Sequence, residues 1–266
     1  MAQYRISESD QSKLQYNLIR SHASGIGPKL PDLYVKAVMI CRLNTLAVGK
    51  SGVSPAVALQ LEKFIQNDIF PIIPEHGSVG ASGDLVQLAH LALALIGEGK
   101  GTFQGAEMPM SQILEKTGLE PVKLDLRDGL ALINGTSCMS GIGIINLIKA
   151  KNLLNWATVL GSAINEITES FDDSFSEELN KVKLHRGQNK IAEGMRACLS
   201  DSKRIRKREE HLFNTDNGTV EVFPTREKVQ EYYSLRCIPQ ILGPVYDMLV
   251  NVEKTLVEEI NSANDN

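Results

Sequence analysis

The chain is poor in cysteine, has a single tryptophan and carries no excess of basic charge. Its four cysteines among 266 residues, Cys41, Cys138, Cys198 and Cys237, stand far apart with no Cys-x-x-Cys pair. That spacing excludes a zinc ribbon and thioredoxin-type exchange. Cys41, Cys138 and Cys237 sit among apolar neighbours, which reads as buried free thiols in a reducing cytoplasm. The five histidines are equally dispersed, with no HExxH and no metal-ligand spacing, so no metal is expected. There are 28 basic against 32 acidic residues, a net charge of -4, which is the wrong sign for a protein that neutralises phosphates. No nucleic-acid partner is expected. The longest apolar runs, such as residues 91–96, are far too short to span a bilayer. The N-terminus, Met-Ala-Gln-Tyr-Arg, has no apolar signal region. The expectation is a cytoplasmic protein without a membrane partner.

What is present is an ordinary globular composition, 42% hydrophobic, which excludes global disorder. The length fits one large domain or two small ones. Periodicity is mostly helical. Pro31 and Asp32 open an apolar stripe through Leu46, and Gly49 closes it as a left-handed cap. Ser54 and Pro55 read as an N-cap and first-turn proline of a helix running to Asn67. Two prolines in residues 69–74 argue against helix there. Asp84 is positioned to cap an apolar helix over 85–96, with Gly97 as its stop.

Residues 98–130 read as loop-rich, with a short strand at 122–126, and 130–143 as a second loop of small residues. A long helix is predicted over 144–168 and another over 227–263, kinked at Pro239 and Pro244. The charged run 203–210 reads as a solvated helix face. The fold class that follows is mainly α, with long packed helices and a loop-rich N-terminal region. The chain divides into residues 1–143, loop-rich, and 144–266, long helices.

The most informative stretch is Gly-Ser-Val-Gly-Ala-Ser-Gly-Asp-Leu at 77–85. Its glycine spacing is not that of a dinucleotide loop, it lacks the Gly-Lys-Ser/Thr of a phosphate-binding loop, and the frame around Ser82 lacks the last glycine of a nucleophile elbow. On spacing alone it reads as a tight loop capping a helix. Ala81-Ser82-Gly83 has a chemistry of its own, however. A tight bend bringing the Gly83 nitrogen onto the Ala81 carbonyl closes a five-membered ring. Loss of two waters then leaves 4-methylideneimidazol-5-one, an electrophile made from the chain itself. Small residues permit the bend, and a helix starting just after it directs partial positive charge at the ring.

That stretch resembles the signature of the aromatic amino acid ammonia-lyases, the family of histidine, phenylalanine and tyrosine ammonia-lyases and related aminomutases. Further matches follow in order. They are Ser-His-Ala-Ser-Gly at 21–25, Leu-Ile-Asn-Gly-Thr at 132–136, Tyr-Ser-Leu-Arg-Cys-Ile-Pro-Gln at 233–240 and Asn-Ser-Ala-Asn-Asp-Asn at 261–266. The look is closest to the tyrosine ammonia-lyases of Bacteroidetes, above all in Gln-Glu-Tyr-Tyr-Ser-Leu-Arg-Cys at 230–237.

The resemblance implies that Ala81, Ser82 and Gly83 form the ring, with no cofactor from outside. It implies that Asn134 contacts the ring and the substrate amine, that Arg236 grips the substrate carboxylate, and that Gln230 is a polar site contact. Tyr233 then lines the site and assists the chemistry, and Ser21 and His22 read the substrate side chain. Taken singly, Asn134 before Gly135 reads as a turn, Arg236 as a surface ion pair, Tyr233 as a core aromatic and His22 as structural. Their ordered co-occurrence reverses that reading. His90 and His76 keep a structural one.

The implied reaction is non-oxidative deamination of L-tyrosine to p-coumarate and ammonia. The alternatives are deamination of histidine to urocanate, an aminomutase, or a truncated, non-catalytic helical fragment. A Ser-His pair at 21–22 is usual in the histidine enzymes, whereas Glu231 and Tyr232 depart from the Asp-Pro found there in many of them. The family chain is about twice as long, so these residues resemble its middle part. The Tyr-Gly-x-Asn-Thr-Gly-Phe-Gly motif with the catalytic tyrosine base is expected upstream of Met1. Family members assemble as homotetramers around long helices, so apolar helix faces are expected to be exposed here.

Overall fold

The computed structural model describes residues 7–79, 85–125, 127–213 and 229–265. It is mainly α, as expected, and it groups into two compact units, Met1–Asn146 with Lys254–Asn266, and Leu147–Glu253. Residues 254–266, grouped by sequence with the long helices, thus belong to the first unit. Hydrogen bonds hold them there. Asn44 Nδ2 donates to the Ile260 carbonyl at 2.6 Å, and Arg42 pairs with Asp265 at 2.8 Å.

The first unit contains α1 (Glu8–His22), β1 (Ile26–Lys29), α2 (Asp32–Ala47), α3 (Pro55–Gln66), β2 (Phe70–Pro71), β3 (Pro74–His76), α4 (Leu85–Leu95), β4 (Lys100–Phe103), β5 (Ala106–Pro109), α5 (Met110–Thr117), α6 (Asp128–Ile133) and the start of α7 (Ser137–Ile167). Only Gln87 and His90 interrupt the apolar character of α4, and a helix apolar on all sides belongs in a core. Its Leu88, Leu91 and Leu95 are fully buried with Ile19, Met39, Phe64 and Leu132. Short antiparallel strands frame this core. β1 pairs with β3, and β2, β4 and β5 form a three-stranded sheet in that order. The β4–β5 hairpin turns at Gln104 and Gly105, both with positive φ (52° and 77°), the pattern of a two-residue primed turn.

Expected boundaries hold for α2 and α3, and Gly49 and Gly97 adopt left-handed backbone just past their helices. Ser54 does not cap α3 with its side chain; its hydroxyl and N–H go instead to the buried Asp128 carboxylate, at 2.9 and 2.7 Å. Three expectations are corrected. Residues 122–125 form no strand, because Val122 N–H is taken by the Leu95 carbonyl and Leu124 N–H by the Tyr16 hydroxyl, not by a strand partner. Leu126 lies outside the described residues. Loop 130–143 contracts to residues 134–136, since α6 occupies 128–133 and α7 starts at Ser137. The missed α5 has eight residues, too few for periodicity to declare itself.

The second unit continues α7 and adds a 3₁₀ turn (Asp173–Phe175), α8 (Glu177–Lys181), α9 (Arg186–Cys198), α10 (Arg208–Phe213), α11 (Tyr233–Arg236) and α12 (Ile238–Ile260). Leu154, Phe175, Ile191, Met195 and Ile238 form its core. α9 and α12 cross at Gly187 and Gly243. A Cβ at Gly187 would collide with the Gly243 carbonyl oxygen, and one at Gly243 would lie 2.5 Å from the Gln188 nitrogen. Two glycines there let the backbones touch.

The predicted helix over 227–263 is broken at Cys237 between α11 and α12, and residues 227–228 lie outside the described residues. Residues 203–206 are not helical, contrary to the reading of 203–210 as one helix face. Arg204 and Arg206 fold back onto Glu169, each at 3.2 Å, and Arg206 bridges to Phe171. The expected apolar exposure is present. Leu153, Trp156, Leu160, Ile164 and Ile167 form an exposed stripe on α7, and Ile241, Val245, Met248 and Val252 another on α12.

By length and composition the stretch 128–167 is apolar enough to cross a membrane, but 56% of its apolar window is buried inside the protein and residues 134–136 interrupt it.

Candidate functional site

The residues singled out by sequence fall into two groups, one in each unit. In the first unit, α1 ends at His22. Its half-buried imidazole Nδ1 lies 2.8 Å from the Leu18 carbonyl and 3.1 Å from the Ser21 hydroxyl. A carbonyl oxygen only accepts, so Nδ1 carries the proton and Nε2 of the neutral ring is left as an acceptor. Ser21 also donates to the Leu18 carbonyl, at 2.9 Å. Both side chains are thereby anchored to the last turn of α1.

Ala81, Ser82, Gly83 and the expected helix cap Asp84 lie outside the described residues. The flanks of that segment are described. Ser78 Oγ accepts from the Val86 N–H at 3.3 Å and donates to Gln87 Oε1, while Gln87 Nε2 donates to the Glu75 carbonyl at 3.1 Å. Gly77 has φ +146°, and a Cβ there would come within 2.5 Å of Val86. Residues 77–78 and 86–87 are thus held together. Gln87 is buried, and neither it nor Ser78 was assigned a role from sequence; a polar residue inside the apolar run of α4 was the available signal.

His90 follows one turn later. Its Nε2 accepts from the Gly25 N–H at 3.1 Å, and burial lowers its pKa. The structural role read for His90 from sequence holds. His76 lies in β3, opposite Ile26.

Asn134 follows the last residue of α6, with its N–H on the Leu130 carbonyl at 3.1 Å and its side-chain Oδ1 buried without a hydrogen-bond partner among the described residues. Gly135 and Thr136 complete the connection to α7.

In the second unit, Gln230, Tyr233 and Arg236 form one cluster on and beside α11. With its oxygen turned toward the guanidinium, the Gln230 amide accepts from Arg236 Nη1 at 2.8 Å and Nη2 at 3.2 Å. The guanidinium carbon stands 4.4 Å over the Tyr233 ring. Arg236 Nε is buried with no hydrogen-bond partner among the described residues. These contacts replace the surface ion pair that Arg236 suggests when read alone, and Tyr233, 70% exposed, is not a core aromatic. Gln230 and Arg236 line a cleft of about 450 Å³ with Asp173, Arg208, Glu231 and Gln240. A guanidinium already held by an amide and a ring face is oriented for a carboxylate.

Among the described residues, no three His, Cys, Asp or Glu side chains converge to hold a metal ion. Arg42 and Asp265, which grip the connection after Asn134, were not assigned roles from sequence. A cation set between the apolar neighbours Cys41 and Leu43 of α2 was the signal for Arg42.

The family model described as aromatic amino acid lyase matches residues 1–266. The chain is 40% identical over 267 residues to a histidine ammonia-lyase of Stigmatella aurantiaca, covering 100% of this chain and 49% of that protein. It is similar in structure to a phenylalanine aminomutase of Pantoea agglomerans, with a TM-score of 0.91 at 35% identity, over 99% of this chain and 51% of that one. A tyrosine aminomutase from Streptomyces globisporus gives a TM-score of 0.90 at 36% identity, over 98% and 50%. The chain spans about half the length of the curated relatives it matches.

Proposed function

Since the chain belongs to the aromatic amino acid lyase family, we propose that it serves the non-oxidative deamination of an aromatic amino acid, L-tyrosine, to p-coumarate and ammonia. The likeness of Gln-Glu-Tyr-Tyr-Ser-Leu-Arg-Cys at 230–237 to the tyrosine enzymes carries the choice of tyrosine over histidine, and His22 favours a substrate side chain that donates a hydrogen bond over a phenyl ring. With Nδ1 committed to the Leu18 carbonyl, its Nε2 is an acceptor. It suits a side chain that donates, as a phenol does, and a phenyl ring would leave it unpaired.

In this reading Arg236 binds the substrate carboxylate, and Gln230 and Tyr233 hold its guanidinium in register. Asn134 orients the substrate amine with its amide. The ring from Ala81-Ser82-Gly83, where formed, supplies the electrophilic carbon that amines add to. Cinching at Ser78 and Gln87 fits the bend that its formation requires. The cytoplasmic location and the homotetramer belong to the same proposal.

A second reading is histidine as substrate, giving urocanate. It is favoured by the 40% identity to a histidine ammonia-lyase, and the substrate's imidazole N–H is equally a donor for His22. The aminomutase neighbours keep a third outcome in view, return of the ammonia to the β-carbon. The chain, supplied with the segments that its relatives carry beyond it, among them the expected tyrosine-base motif, is incubated with L-tyrosine, L-histidine and L-phenylalanine, the products are separated by chromatography, and its intact mass is measured. We expect p-coumarate from tyrosine and a mass lower by two waters. Urocanate alone moves the assignment to histidine, and a β-amino acid product to an aminomutase. No product together with both waters retained overturns the lyase reading in favour of a non-catalytic helical fragment.

A further inference from the structure

Arg42 projects from α2 and is completely buried, at 0% exposure. A buried guanidinium costs several kcal/mol unless its fork is occupied. Here the fork is spent on one place. Nη2 donates to the Ala131 carbonyl in α6, and Nη1 donates to Asp265 Oδ1 at 2.8 Å. Between these partners runs Gly135, with φ +145°. A Cβ at Gly135 would collide with Arg42 Nη1 and would lie 3.0 Å from both Asn264 Oδ1 and Asp265 Oδ1. Thr136 is held from the other side, its N–H on Asn264 Oδ1 at 3.4 Å and its hydroxyl on Glu259. The connection from α6 to α7 is therefore clamped at every residue except one side chain. That side chain is Asn134, whose buried Oδ1 has no hydrogen-bond partner among the described residues.

We propose that Arg42, together with Asp265, is a positioning residue for Asn134. It touches no substrate. It fixes the backbone of the Asn134-Gly135 step, and with it the direction in which the Asn134 amide is presented to the substrate amine. This rests on the role given to Asn134 under the proposed function. A guanidinium is needed because only a planar fork reaches the α6 carbonyl and the Asp265 carboxylate at once. The lysine ammonium is a single point of charge.

Arg42→Lys and Asp265→Asn are each made alone and combined with Asn134→Ala. For each protein kcat and KM are measured on the amino acid that the wild type turns over, with the melting midpoint and helical circular dichroism as controls for folding. The expected result is a loss of about 10- to 100-fold in kcat for Arg42→Lys, the scale of a misplaced group. The same change made on top of Asn134→Ala is expected to cost less than about twofold, because residues acting as one unit are not additive. Losses that multiply in the double variant, as a general weakening of the fold produces, overturn the inference. If Arg42→Lys does not fold, Asp265→Asn, which keeps the guanidinium and its bond to Ala131, decides by the same comparison. A parent protein that turns over no amino acid even with those flanking segments supplied overturns the lyase reading and this inference with it. An active wild type with multiplicative losses overturns the inference alone.

Discussion

The main-chain N–H of Gly25 donates to Nε2 of His90, joining the segment after His22 to the central helix α4. An imidazolium has a proton on both nitrogens and cannot accept this bond. Burial already lowers the pKa of His90 below its ordinary value of 6.5. With the folded value depressed, the neutral ring's contribution to stability is complete above about pH 6.5 and is lost as the pH falls through the lower, folded value. Thermal melting followed from pH 8 to 5 is expected to show a midpoint that declines below pH 6.5. His90→Gln is expected to flatten that part of the profile. An equal decline in the variant would assign the effect to other groups.

Thiol reactivity is expected to divide by burial. Burial pushes the Cys41 thiol up to about 11, and Cys138 is also buried, whereas Cys198 is exposed. At neutral pH a thiol-reactive probe is expected to label Cys198 in the native protein and to reach Cys41 and Cys138 only after unfolding. Peptide mapping of the labelled protein checks this, and rapid native labelling of Cys41 would contradict its burial.

Gly187→Ala is expected to destabilise the second unit by about 1–3 kcal/mol, as overpacking does. The new methyl group meets the main-chain oxygen of Gly243, which cannot rotate away as a side chain can. Urea denaturation is the measurement, and an unchanged midpoint would contradict the close crossing of α9 and α12.

Arg236→Ala is expected to raise KM about 10- to 100-fold, the equivalent of losing a hydrogen bond to a charged group worth about 1.5–3 kcal/mol. Steady-state kinetics on the amino acid substrate, with a substrate amide lacking the carboxylate charge as control, checks the assignment. The amide is expected to be nearly indifferent to the substitution.

Ser82→Ala is expected to retain the mass of both waters, to abolish turnover and to leave the melting midpoint close to that of the parent. Intact mass and activity are read on the same sample. Turnover by a variant that cannot form the methylidene would remove the ring from the reaction.

Much of this was legible in the sequence, for identifiable reasons. α2, α3 and α4 declare themselves because an apolar stripe or run is bounded by Pro31, by Ser54 and Pro55, and by Gly49 and Gly97. α6 does not, because its six residues are helical through partners distant in sequence. Gly129 N–H donates to Gln15 Oε1 at 3.0 Å, and Asp128 holds Ser54 and the Asp125 N–H. The folding back of Arg204 and Arg206 onto Glu169 is likewise a long-range event that no short window of sequence contains.

The site divides in the same way. Motif order alone named His22, Asn134, Gln230, Tyr233 and Arg236, since residue type and spacing along the chain are properties of the sequence. Only the tertiary structure decided which atom of each is occupied. It committed His22 Nδ1 to a carbonyl, set the Gln230 amide on the Arg236 fork, and buried Arg42 against Gly135 and Asp265, which lie far from it along the chain. Hydrogen bonding depends on distance and direction in space, and these are fixed only when the helices pack.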